Sequence, residues 1–161
     1  MATGSYCGAV ARFATHPNPI ERPTPSFMLR APLDDVEGDH NFEQLWTRRL
    51  DEDLFEICCI PFFAYDLALG DVVRAAAEDG LIRSVERRSG NGVVRIAVKR
   101  PEEVAELHPR IHDLLGRLEY LCEWFAPRYV AVSVESERTH DELFAGIADL
   151  GDAVEVERIF V

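Results

Sequence analysis

Tyr65, Asp66, Asp71 and Arg74 are the densest group of side chains in this sequence that could hold a small ligand. They crowd a stretch rich in aromatic residues, where a buried carboxylate would have a shifted pKa and could act on a bound molecule. Asp71 also has a plainer role available, as the residue that caps a Gly70-Asp71 turn through its own backbone. His108 and His112 stand four apart with Asp113 adjacent, a spacing that suits a metal on a helix face. The intervening Pro109 and the lack of a Glu after His108 break the zinc-protease pattern, so two surface histidines near a helix start are expected instead. Asp34, Asp35, Glu37, Asp39 and Asn41 invite a calcium reading, but the closing bidentate Glu of the known loop is missing. A solvated acidic loop is expected there.

Nucleophiles are poorly supported. Cys58 and Cys59 are neighbours in an expected strand, point to opposite faces and cannot jointly ligate a metal. Their apolar surroundings would raise the thiol pKa, so they read, with Cys7 and Cys122, as small buried hydrophobes in a reducing compartment. Cys122 falls on an expected apolar helix stripe. Ser84, Ser89, Ser133 and Ser136 lack the flanking pattern of a nucleophile elbow. Gly90-Asn91-Gly92 precedes a strand and not a helix, so it is not a phosphate loop. No catalytic residue, metal or cofactor is expected.

Charge carries more information. The 161 residues have a formal charge of -12, and 47% of them are hydrophobic, as in a globular chain with a sizeable core. Residues 31–60 hold nine acids and two bases, residues 101–161 fourteen and five, and residues 61–100 five and seven. Such a chain is repelled by nucleic acid and by anionic lipid, unless Arg74, Arg83, Arg87, Arg88 and Arg95 form one patch. No apolar run reaches the roughly 18 residues of a spanning helix, and the first ten residues lack the pattern of a signal peptide, so the expected location is the cytoplasm.

The elements that must position these residues follow from periodicity and turn residues. Residues 1–25, with four prolines and two glycines, are expected to be a flexible arm. Strands are expected at Ser26–Ala31, Phe42–Leu50, Phe55–Ile60, Val72–Ala76 and Leu81–Arg88, the last charged on both faces as an edge strand often is. Consecutive hairpins of this kind make a curled antiparallel sheet or small open barrel over residues 26–90. Residues 91–161 read as β-α-β-α-β: a strand Val93–Lys99, a helix opening at Pro101 that Pro109 breaks or kinks, with the stronger helix running from there to about Phe125, a strand Tyr129–Glu135, a helix capped by Thr139 and Glu142, and a final strand Ala153–Val161. The fold class is α+β, with the helices on one face of a sheet, and the short Ser89–Gly92 connection favours a core shared by the two units.

Ile60-Pro61-Phe62-Phe63-Ala64, then Gly70-Asp71-Val72-Val73, with Trp46 upstream and Ser89-Gly90 downstream, resembles a family of small bacterial proteins catalogued only as a domain of unknown function. The resemblance covers about residues 42–99. In that family an asparagine commonly precedes the Ile-Pro-Phe-Phe-Ala core, where this chain has Cys59. It implies a shared fold and brings no activity or catalytic residues with it.

The expected function is that of a non-enzymatic acidic binding protein, of the immunity or inhibitor type, which captures a basic protein partner. Asp34, Asp35, Glu37, Asp39, Glu135 and Glu137 are the residues expected to meet it. The alternative is a small-molecule sensor or enzyme with a pocket between the two β units, using Tyr65, Asp66, Asp71 and Arg74.

Overall fold

The computed structural model describes residues 12–33 and 40–159. Strands β1 (Phe13–Ala14), β2 (Phe27–Pro32), β3 (Phe42–Arg49), β4 (Leu54–Ile57), β5 (Val72–Ala75) and β6 (Ile82–Arg87) form one sheet. Strand β3 lies at its centre, with β2 antiparallel along one edge and β4 and β1 sharing the other. Buried Glu43, Leu45 and Thr47 alternate with less buried neighbours along β3, the period of two that a one-sided sheet imposes. The sheet curls until β2 and β6 meet at one bridge, Arg30 to Leu81, and it does not close further. Its interior holds Leu29, Leu45, Phe55, Ile57 and Val73.

The second sheet is built from β7 (Asn91–Val98), β8 (Cys122–Ala126), β9 (Tyr129–Glu135) and β10 (Val154–Ile159), in the order β10-β7-β9-β8 and antiparallel throughout. Helices α1 (Val104–Arg117) and α2 (Asp141–Ala148) cover one face through Val94, Ile96, Val130, Val132, Leu107, Ile111 and Leu143. The chain order is therefore β-α-β-β-α-β, the split arrangement called ferredoxin-like. A Cβ added at Gly146 would sit 2.5 Å from Leu114, so glycine is what lets α2 lie this close to α1.

The α+β class is as the sequence indicates, with one strand more in the second unit. The helix expected to reach Phe125 ends at Arg117, Glu119 adopts a left-handed φ of 57°, and residues 122–126 turn back as β8. Leu121, Cys122 and Phe125 mimic a continuation of the helical stripe, but Cys122 lies in a strand that packs against the helix core from the sheet side. Pro109 sits inside α1 without ending it, on the exposed side of the helix. Helix α2 starts one residue later than the expected capping box requires, with His140 at the N-cap and no side-chain cap. Strand β4 also stops early, at Ile57 and not at the expected Ile60, so Cys58 and Cys59 lie just beyond it, both buried.

The face of the second sheet away from the helices is covered by residues 60–71, the connection between β4 and β5. Ile60, Phe62 and Ala68 pack there on Val93 and Ala131, with Ile20, Phe63, Phe125 and Tyr129 around them, so the two sheets share this interior. Within the stretch expected as a free arm, Phe13 and Ala14 pair with β3 and His16 is buried.

Candidate functional site

Beyond Ile57 the chain leaves the sheet ladder, and Ile60 to Ala64 cross the interior with backbone groups that no strand can satisfy. Unpaired, each would cost about 1–3 kcal/mol. Polar side chains from both sheets take them up. Glu43, on β3, accepts the N–H of Phe62 at 2.6 Å through Oε1, and those of Phe63 and Ala64 at 2.9 and 2.8 Å through Oε2. Glu123, on β8, accepts from Ile60 at 2.8 Å and from Ile20 at 3.0 Å. The carbonyls are met from β7 and β9: Arg95 donates to Phe62 at 2.6 Å and to Pro61 at 2.9 Å, and the Tyr129 hydroxyl donates to Phe62 at 2.8 Å. Pro61 suits this path because it has no N–H to satisfy.

His16 lies between the two carboxylates. Its Nδ1 donates to Glu123 at 2.5 Å and its Nε2 to Glu43 at 2.8 Å, while its ring stacks on Phe62 at 4.3 Å. Burial opposes the charged ring, yet hydrogen bonding to Cys59, Glu123 and Glu43 prevails and pushes its pKa from 6.5 up to about 12. His16 is thus an imidazolium with both nitrogens donating. Two buried anions, Glu43 and Glu123, are matched by two buried cations, His16 and Arg95, which is the condition for burying charge at all. Burial also raises the Cys59 thiol, against the pull of His16, and lifts Cys58 to about 11. Neither is a ready nucleophile.

The four residues expected to bind a ligand do not converge. Asp71 is fully buried and caps its own turn: Oδ2 accepts from the Ala68 N–H at 3.0 Å and from Arg88 at 3.1 Å, and Oδ1 accepts from the Ser89 N–H at 2.8 Å. Gly70 before it has a φ of 85°, and a Cβ there would meet Ser89 at 3.1 Å. Asp66 is exposed, and its carbonyl is held by Arg88. Arg74 faces elsewhere, bonded to Asp53 at 2.6 Å and Glu86 at 2.9 Å. The Tyr65 ring is 49% exposed and covers the buried Arg95 guanidinium at 4.7 Å.

Of the other residues singled out by sequence, His108 and His112 stay close, with rings stacked at 6.5 Å and His112 Nδ1 3.7 Å from Asp113. His108 bonds the Pro127 carbonyl at 2.9 Å and packs on Trp124, while His112 is exposed. No group of three or more possible ligands gathers for a metal among the described residues. Arg95 is interior, so the middle arginines do not make one basic patch. Glu135, at the end of β9, and Glu137, on the turn that follows, are exposed, whereas Asp34, Asp35, Glu37 and Asp39 lie outside the described residues. No described helix is long and apolar enough to cross a membrane.

Sequence reasoning missed His16, Glu43, Glu123 and Arg95. Alternation along β3 puts Glu43 on the face of Leu45 and Thr47, and Arg95 shares a face with Val93 and Ala97 in an otherwise apolar strand. Those were usable signals. Glu123 was hidden by the helical reading, and His16 sits in a proline-rich stretch with no periodicity.

No curated protein matches the chain. A crystal structure of a hypothetical protein from Neisseria gonorrhoeae has a similar fold, with a TM-score of 0.61 and 19% identity over 82% of this chain and 92% of that one. The family described as a domain of unknown function, DUF4265, matches residues 43–157, which run from the first buried glutamate of the interior network into the last strand. By that match the chain belongs to the DUF4265 family.

Proposed function

We propose that this protein is a non-enzymatic binding protein of the immunity or inhibitor type, which captures a basic protein partner through its acidic surface. The observation that carries the reading is the segment from Glu135 to Glu157, which holds eight acids and one base. All eight acids are exposed, none is in an ion pair among the described residues, and the one base, Arg138, lies over the Tyr120 ring and bonds the Leu118 carbonyl. The side chains best suited to chemistry are committed elsewhere, since His16 donates through both nitrogens and Glu43 and Glu123 are saturated by backbone N–H groups.

An acidic face of this kind raises the association rate with a cationic partner and makes that rate depend on salt. The test is affinity purification from the native cell at low and at high ionic strength, followed by association kinetics of any recovered partner. A stable basic partner, whose association slows about tenfold or more when Asp149 and Asp152 are both changed to Lys, is expected. A partner whose binding ignores both salt and these substitutions contradicts the proposal.

A further inference from the structure

The incomplete seam of the first sheet offers a site for an extended segment of such a partner. Among the described residues, strands β2 and β6 each lack a strand neighbour on their outer edges and touch at one parallel bridge, Arg30 to Leu81, where the Arg30 N–H donates to Gly80 at 2.7 Å. In a parallel ladder the next donor along β2 lies two residues on, and that residue is Pro32. A proline has no N–H to give, so the seam cannot zip further. It opens instead into a cleft of about 210 Å³ between Ala31 and Pro32 on one side and Ile82 to Val85 on the other, with Asp66 and Leu67 from the 60–71 connection also lining it.

The lining specifies the occupant. Pro32, Leu67, Ile82 and Val85 make apolar walls, and the volume is below the roughly 300 Å³ at which pockets for drug-sized ligands begin, so it suits inserted side chains of a larger molecule. Two charged residues line it among the described residues. Arg83 is already paired with Asp79 at 2.6 Å, whereas the exposed Asp66 carboxylate has no ion-pair partner among the described residues. Among the described lining residues the unpaired charge is therefore negative, while Arg30 at the bridge is turned to the Asp79 carbonyl.

We infer that the outer edge of β6 at this seam is a strand-addition site, which takes an extended segment of a basic protein with an apolar side chain placed among Leu67, Ile82 and Val85 and a Lys or Arg beside it on Asp66. This rests on the reading of the protein as a binder of basic partners and locates one contact of that binding.

The test uses the full chain and, as probe, a short synthetic peptide of alternating Lys and Val, followed by backbone amide NMR titration. Saturable shifts are expected at Ala31, Leu67, Ile82 and Val85. Asp66→Lys should weaken binding at least about tenfold, because it sets like charges side by side. Ser84→Trp, an exposed change that fills the cleft, and backbone N-methylation of the peptide should each abolish binding, and a Glu–Val peptide should not bind. Glu102→Lys, an exposed change of the same charge outside both surfaces, should leave the affinity of the short peptide unchanged. Absence of saturable shifts, or equal affinity for Asp66→Lys and wild type, overturns the site. Shifts confined to residues 135–157 also overturn it, while leaving the broader reading of a basic partner standing.

Discussion

Glutamates occupy two opposite environments in this protein. Under the Ile60–Ala64 segment, Glu43 and Glu123 are buried, matched by His16 and Arg95, and used up by backbone N–H groups. From Glu135 to Glu157, the acids are exposed and unmatched. Desolvation makes the difference. A buried carboxylate must be held by specific partners and so fixes structure, whereas a solvated one keeps a field that reaches about a Debye length into solution. The interior network ties β3 of the first sheet to β7, β8 and β9 of the second, and the outer face remains free to meet another molecule.

The contrast can be broken most severely at Glu43. Glu43→Ala removes the acceptor for three amides and one of the two anions balancing His16, so a loss of about 4 kcal/mol is expected in chemical denaturation. A loss below about 1 kcal/mol would mean that the network does not hold the segment. His16→Ala comes next, at about 3 kcal/mol near neutral pH, since it leaves two buried carboxylates without their shared cation. This effect carries a pH signature. The folded-state pKa of His16 lies above its ordinary 6.5, so protonation favours the folded chain. The contribution is complete below about pH 6.5 and fades as pH climbs towards 12. The stability gap between wild type and His16→Ala should therefore narrow between about pH 7 and pH 10; a gap that widens over this range has the wrong sign for a charged His16.

Arg95→Met is expected to cost about 2 kcal/mol, because the Pro61 carbonyl loses its donor while the Phe62 carbonyl keeps the Tyr129 hydroxyl. Its cost should shrink if Glu43 is already Gln, since the remaining charges are then better balanced; strict additivity would show that the two residues act separately. At the outer face, Asp149→Lys and Asp152→Lys together should change stability by no more than about 0.5 kcal/mol, as exposed charges do. A thermal denaturation series suffices, and a loss comparable to that at Arg95 would remove the distinction between the two regions.

Much of this architecture is legible in the sequence where short runs of β-favouring residues are bounded by turn residues. The expected strand Val93–Lys99 falls within β7 except for its last residue, and Tyr129–Glu135 coincides with β9. The failures have a common physical source. Residues 118–126 carry apolar side chains at spacings that fit either a helix or a strand, and the strand wins because β8 completes the sheet beside β9 while Glu123 reaches the Ile60 amide. The Phe62, Phe63 and Tyr65 rings mark an interior segment, but its irregular backbone needs polar partners from sequence positions as distant as His16 and Glu123, and local pattern cannot supply that pairing. At the expected ligand site, Asp71 turned out to serve its own turn, the plainer of its two possible roles.

The protonation of His16 tests the interior network most directly. In side-chain ¹⁵N NMR at about pH 9, both ring nitrogens should carry protons, as an imidazolium shared between Glu43 and Glu123 requires. A neutral ring at that pH, titrating near the ordinary 6.5, would contradict it.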